Sequence, residues 1–90
     1  MLEHEVMITN TLGLHARAAA QLVRLASGYR CSVRLKRDDT GVTANAKSIL
    51  SVLYIAAGLG VKLRIATDGE SEQDAMDAIV KLFIDKFGED

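Results

Sequence analysis

Ninety residues leave room for one domain, residues 1–90, with a modest core, and 49% hydrophobic beside 26% charged residues is the balance of an ordinary soluble globular chain. A formal net charge of -1 supplies no global field for nucleic acid or an anionic membrane surface, so attraction to any partner must come from local patches. Cys31 is the single cysteine, which excludes an internal disulfide and suits a reducing compartment. Glu3 and Glu5 stand where a signal peptide would carry positive charge, and the longest apolar run, 49–61, is too short to span a bilayer and is broken by Ser51, Gly58 and Gly60. A cytoplasmic protein is expected.

Leu2, His4, Val6 and Ile8 alternate with Glu3, Glu5, Met7 and Thr9, the period of a strand with one buried face. Residues 16–27 are rich in alanine and leucine. Ala19, Leu22, Leu25 and Ala26 recur at helical spacing opposite Arg17, Gln21 and Arg24, and Gly28 supplies a stop. Residues 31–37 alternate again, with Val33 and Leu35 inward. The turn chemistry of Asp38, Asp39, Thr40 and Gly41 then leads into 42–44, so the pair reads as a hairpin.

The pattern at 47–56 fits a short helix or a buried strand. A helix is preferred, capped by Asn45 or Ser48 and ended before Gly58 and Gly60. Val61, Leu63 and Ile65 alternate with Lys62 and Arg64 in a fourth strand closed by Asp68 and Gly69. Ser71, Glu72 and Asp74 provide a hydroxyl cap and acids for a last helix that carries Ala75, Ala78, Ile79, Leu82 and Phe83 on one face and runs to about Phe87. One layer of helices on one side of a mainly antiparallel sheet is the simplest way to bury these faces, an α+β fold of order β-α-β-β-α-β-α.

His15 falls where a strand pattern stops and a helix begins. The first N–H groups of a helix lack helical partners and carry the positive end of its dipole, so a phosphoryl group on His15 would meet donors there, those of Ala16 and Ala18 included. Arg17 can add a planar cationic fork suited to phosphate oxygens. The plainer reading is that His15 merely caps a helix. His4 belongs to a strand pattern and is assigned half-buried packing. Ser48 stands at a second helix start, where it caps or carries a phosphate. Ile49, Leu50, Val52, Leu53 and Tyr54 offer more apolar surface than one short helix buries, so some belong to a docking patch and the rest to the core. Ligand spacing for a metal, a Walker loop and a dinucleotide fingerprint are all absent, and no metal or cofactor is called for.

Gly13, Leu14, His15, Ala16 and Arg17, together with Asn45, Ala46, Lys47, Ser48, Ile49 and Leu50, resemble the HPr family, the histidine-containing phosphocarriers of the bacterial sugar phosphotransferase system. The resemblance covers essentially the whole chain. It implies an open-faced β-sandwich, a four-stranded antiparallel sheet with three helices on one face. It also implies that phosphorylated enzyme I, itself charged by phosphoenolpyruvate, passes a phosphoryl group to His15, normally at Nδ1, and that an enzyme IIA-type domain receives it. In that scheme Arg17 steadies the phosphohistidine and Ser48 matches the target of HPr kinase/phosphorylase. Ala20, Arg24, Lys47, Ile49, Leu50 and Leu53 belong to the shared docking surface. The carrier is a transiently phosphorylated monomer rather than a turnover enzyme, without nucleic-acid or membrane partners.

The chain departs from the family pattern in three places: Ala18 in place of a usual proline, Ser51 in place of glycine, and a hairpin at 36–41 about two residues longer than is common. Alanine keeps the helix and returns one donor to the anion site. A second reading is a regulatory module in which Ser48 phosphorylation switches docking to a transcriptional regulator. A third is a small ligand- or RNA-binding sheet domain, disfavoured because both tyrosines and both phenylalanines lie outside the clear strand alternation.

Overall fold

A computed structural model describes residues 1–55 and 57–89. Four strands, β1 (Leu2–Met7), β2 (Ser32–Arg37), β3 (Thr43–Asn45) and β4 (Lys62–Asp68), form one antiparallel sheet in the order β1-β4-β2-β3. Helices α1 (Ala16–Ser27), α2 (Ile49–Tyr54) and α3 (Glu72–Ile84) complete the expected order, and a short 3-10 turn, Lys86–Gly88, follows α3.

The register follows from the alternation. Val6 pairs with Leu63, Leu35 with both Ile65 and Ala44, and Val33 with Thr67, which puts one buried row across the sheet. Against that row pack Ala18, Ala19, Leu22 and Ala26 of α1 and Ala75, Ile79 and Phe83 of α3. The other sheet face carries Glu3, Glu5, Arg34, Lys36, Lys62 and Arg64, all exposed. Cys31 is buried just before β2.

Several boundaries differ from the pattern reading. β4 begins at Lys62 and not Val61, and it ends at Asp68 where the expected turn begins, with Ala66 and Thr67 paired to strands on both sides. α2 begins at Ile49 and not Lys47. The Lys47 N–H donates to Asn45 Oδ1 at 3.0 Å, which makes a turn of residues 45–48 and leaves Ser48 extended as the cap. The expected end of that helix at Ala56 lies outside the described residues.

Ser71 is not a hydroxyl cap. It is left-handed with φ 61°, and the Gly69 N–H donates instead to the Glu72 carboxylate at 3.0 Å. α3 stops at Ile84, three residues before the expected Phe87, because Lys86 and Phe87 take left-handed φ of 55° and 57°. That reversal buries Phe87 against Phe83, with ring centroids 4.9 Å apart, and turns the chain back across the start of α1. His4 is exposed and not half-buried: it pairs with Ile65 on the helix side, but β1 is an edge strand and leaves it open.

Candidate active site at the start of helix α1

His15 is the N-cap of α1, with an extended backbone at φ -75° and ψ -177°. Its approach is fixed by Gly13, whose φ is +67° and where an added Cβ would lie 2.6 Å from the Ala57 carbonyl oxygen and 2.8 Å from Gly58 Cα. Only glycine fits both that conformation and that contact. The Leu14 N–H donates to the same Ala57 carbonyl at 2.9 Å, and Leu14 is buried, so the turn carrying His15 is clamped from below.

The imidazole is held at both nitrogens. Nδ1 accepts from the Arg17 N–H at a long 3.4 Å. Nε2 lies 2.9 Å and 3.0 Å from the two carboxylate oxygens of Glu89. A neutral ring has one donor and one acceptor nitrogen, a carboxylate can only accept, and a backbone N–H can only donate. Both contacts therefore require the same tautomer, with the proton on Nε2 and a lone pair on Nδ1 facing the free end of the helix. A neutral imidazole nitrogen at a helix N-terminus, with a guanidinium two residues on, can attack an electrophilic phosphorus and then have its new negative charge met by donors.

Glu89 is itself oriented. The Asn10 side-chain N–H donates to it at 2.9 Å and also to the Gly13 carbonyl at 2.8 Å. Asn10 is fully buried, and its Oδ1 finds no donor among the described residues. Leaving a buried acceptor unmet costs about 1–3 kcal/mol, a local cost at the functional end of the fold. The hydrogen bond from Asn10 first, then that from His15, hold the Glu89 carboxyl below the usual carboxylate range, and Arg17 adds a smaller favourable charge.

The exposed groups at the head of α1 are Ala16 and Arg17. Ala18 is fully buried, so its N–H lies behind the surface those two present. Ser48 caps α2 through the Ser51 N–H at 3.4 Å. Ile49, Leu50 and Leu53 are exposed, Leu50 at 76%, whereas Val52 is fully buried, so the apolar run divides between surface and core. Tyr54 (79% exposed), Leu12 and Leu59 add to the apolar surface. Arg24 is exposed and Ala20 half-buried on α1, while the Lys47 ammonium is tied to the Tyr29 carbonyl at 2.6 Å. Among the described residues no group of histidine, cysteine and acidic side chains could hold a metal ion, and no helix is long and apolar enough to cross a membrane.

Sequence reasoning missed Asn10 as a site residue and missed Glu89 altogether. A polar residue directly after a strand's apolar alternation was a signal for Asn10. Glu89 had none, because its approach depends on the left-handed turn at residues 86–88.

A family model described as "PTS HPr component phosphorylation site" matches residues 2–85. The chain belongs to the HPr family. A phosphocarrier protein HPr of Xylella fastidiosa is 47% identical over 90 residues, covering all of this chain and 99% of that one. A crystal structure of HPr-C-His from Thermoanaerobacter tengcongensis superposes with a TM-score of 0.93 at 34% identity, covering 100% of this chain and 99% of the other. An HPr dimer from the same organism gives 0.77 at 35% identity over 99% of this chain and all of that one. The open four-stranded sheet with three helices is thus the HPr fold, and the chain is an HPr-type phosphocarrier of the phosphotransferase system.

Proposed function

We propose that Nδ1 of His15 accepts a phosphoryl group from phosphorylated enzyme I and passes it to an enzyme IIA-type acceptor. The observation that carries this is the pair of contacts on the His15 ring, Glu89 at Nε2 and the Arg17 N–H at Nδ1, which calls for an unprotonated Nδ1 at the head of α1 with Arg17 beside it. The Nδ1 lone pair forms the new N–P bond as the bond from phosphorus to the donor's leaving nitrogen breaks. No proton need leave Nδ1, because it holds none. Arg17, exposed at the head of α1, meets the phosphoryl oxygens together with the N–H of Ala16 and its own. The protein acts as a transiently phosphorylated monomeric intermediate in the cytoplasm, without a cofactor.

The docking surface in this reading joins Ala20 and Arg24 of α1 to Lys47, Ile49, Leu50 and Leu53 around α2, two helices that pack against one another. A modest apolar surface suits partners that must leave as readily as they arrive. A second reading, regulation through Ser48, is favoured by its place beside Ile49 and Leu50: a phosphate there would put a dianion at the edge of the apolar surface. HPr kinase/phosphorylase is the enzyme this would require, and a transcriptional regulator a partner it could serve.

The test is labelling from phosphoenolpyruvate through purified enzyme I, with the parent and His15→Ala compared. Acid-labile label on the parent alone is expected. Label on neither, with that enzyme I active on another carrier, would sink the carrier reading and leave Ser48 as the site to pursue.

A further inference from the structure

Glu89 lies beyond the residues 2–85 matched by the family model, yet it makes the shortest contact to the His15 ring. Its placement costs the fold something. Lys86 and Phe87 are both non-glycine residues at positive φ, strained conformations that persist only where surroundings fix them. Here the surroundings do so. The Phe87 ring is buried against Phe83, its carbonyl accepts from the Gln21 side chain at 3.0 Å, and Gly88 at φ +74° completes the reversal. The Gly88 and Glu89 N–H groups close on the Asp85 and Lys86 carbonyls, each at 3.0 Å. The tail is a strap anchored at Phe87, two residues before the acid it delivers.

We propose that Glu89 is a positioning residue for phosphoryl transfer, holding the proton on Nε2 of His15 both before the transfer and in the phosphorylated state. This rests on the carrier reading above. When Nδ1 attacks with the proton still on Nε2, the ring becomes a phosphoimidazolium: the N–P bond forms, the donor's N–P bond breaks, and the ring gains a positive charge while Nε2–H is kept. A carboxylate at 2.9 Å and 3.0 Å from Nε2 pairs with that charge. Were Nε2 to lose its proton to solvent, the neutral phosphoimidazole would be a poorer leaving group toward the acceptor. Glu89 therefore keeps the phosphoryl group ready to be passed on.

The carboxylate approaches the ring at Nε2, while Nδ1 is engaged from the helix side by the Arg17 N–H. Among the described residues the charged group that faces this pair is Arg17 from α1, and Asn10 supplies the neutral donor that keeps Glu89 in place.

The test uses the full chain with nitrogen-15-labelled histidine, as parent, Glu89→Gln and Glu89→Ala. The ring nitrogen shifts at pH 8 report the tautomer, and rapid-quench assays follow phosphoryl transfer from phosphorylated enzyme I and onward to an acceptor domain. The parent is expected to show a protonated Nε2. Glu89→Gln retains that tautomer, because its carbonyl still accepts, but passes phosphate onward about tenfold more slowly. Glu89→Ala shows a mixture of tautomers and is slowed in both directions by about tenfold or more. An unchanged tautomer in Glu89→Ala, or onward rates within twofold of the parent in both variants, overturns the proposal. A parent that takes no label at all overturns the carrier reading instead, and the tautomer then decides alone whether Glu89 orders the ring.

Discussion

The heads of α1 and α2 are built on the same device and end up as different surfaces. Each helix starts on an extended residue whose side chain accepts from a backbone N–H in its first turn at 3.4 Å, His15 from Arg17 and Ser48 from Ser51. At α1 the cap has a second functional atom, and that atom is held by an acid 74 residues away, which a buried amide orients in turn. At α2 the capping contacts are local. Asn45 and Ser51 tie the turn together, and the residues that follow are exposed and apolar. A long-range network fixes one chemical state of one atom, whereas a local cap over an apolar surface leaves something to be covered and uncovered. The first arrangement suits covalent chemistry and the second suits reversible docking.

This division can be broken at its chemical end first. Arg17 is exposed and no part of the core, so Arg17→Ala should fold as the parent does and lower the rate of transfer from enzyme I by about 100-fold, the usual effect of removing one oxyanion donor. A loss smaller than threefold in a single-turnover assay would assign the anion's stabilisation to backbone donors alone. At the docking end, Leu50→Asp should raise KM for enzyme I by about tenfold with kcat little changed, because it removes an apolar contact without touching His15. A change in kcat alone would mean that the α2 surface acts on chemistry.

Ser48→Ala removes only the α2 cap, whose bond is long. A stability loss of about 0.5–1 kcal/mol is expected, read as a lower Tm in calorimetry, with His15 labelling unaffected. The smallest effect concerns pH. The Glu89 carboxyl is held below its ordinary value by Asn10 and then His15, so the strap's contribution is complete above about pH 4.3 and is lost as the pH falls through the depressed value. The Asn10 side-chain amide resonances should therefore move with a midpoint below about 4.3. A midpoint at or above that value would mean that Glu89 is not bound to Asn10 in solution.

Which parts of this were legible in the sequence follows from the range of the forces involved. The sheet, the three helices and the placement of His15 and Ser48 at helix starts rest on periodicity and capping, which act within a few residues and are legible in the sequence. An alanine-rich face and Gly28 bound α1 clearly, and its observed ends are the ones they predict. The left-handed residues at 71, 86 and 87 were invisible, since nothing about serine, lysine or phenylalanine announces a positive φ. The end of α3 and the reach of Glu89 depend on the Phe83 and Phe87 contact and on the Gln21 hydrogen bond, both of which require the tertiary fold to exist first. Asn10 belongs to the same class: it lies beyond β1, and its side chain bonds to the Gly13 carbonyl and to the Glu89 carboxylate from the tail.

The central claim is that the fold presents Nδ1 of His15, and not Nε2, to the phosphoryl donor. The direct measurement is to phosphorylate nitrogen-15-labelled protein with phosphoenolpyruvate and enzyme I, and to read the nitrogen–phosphorus coupling of the His15 ring. Coupling to Nδ1, with Nε2 still protonated, is the predicted result. Coupling to Nε2 would contradict the account, because the phosphoryl group would then occupy the place that Glu89 holds.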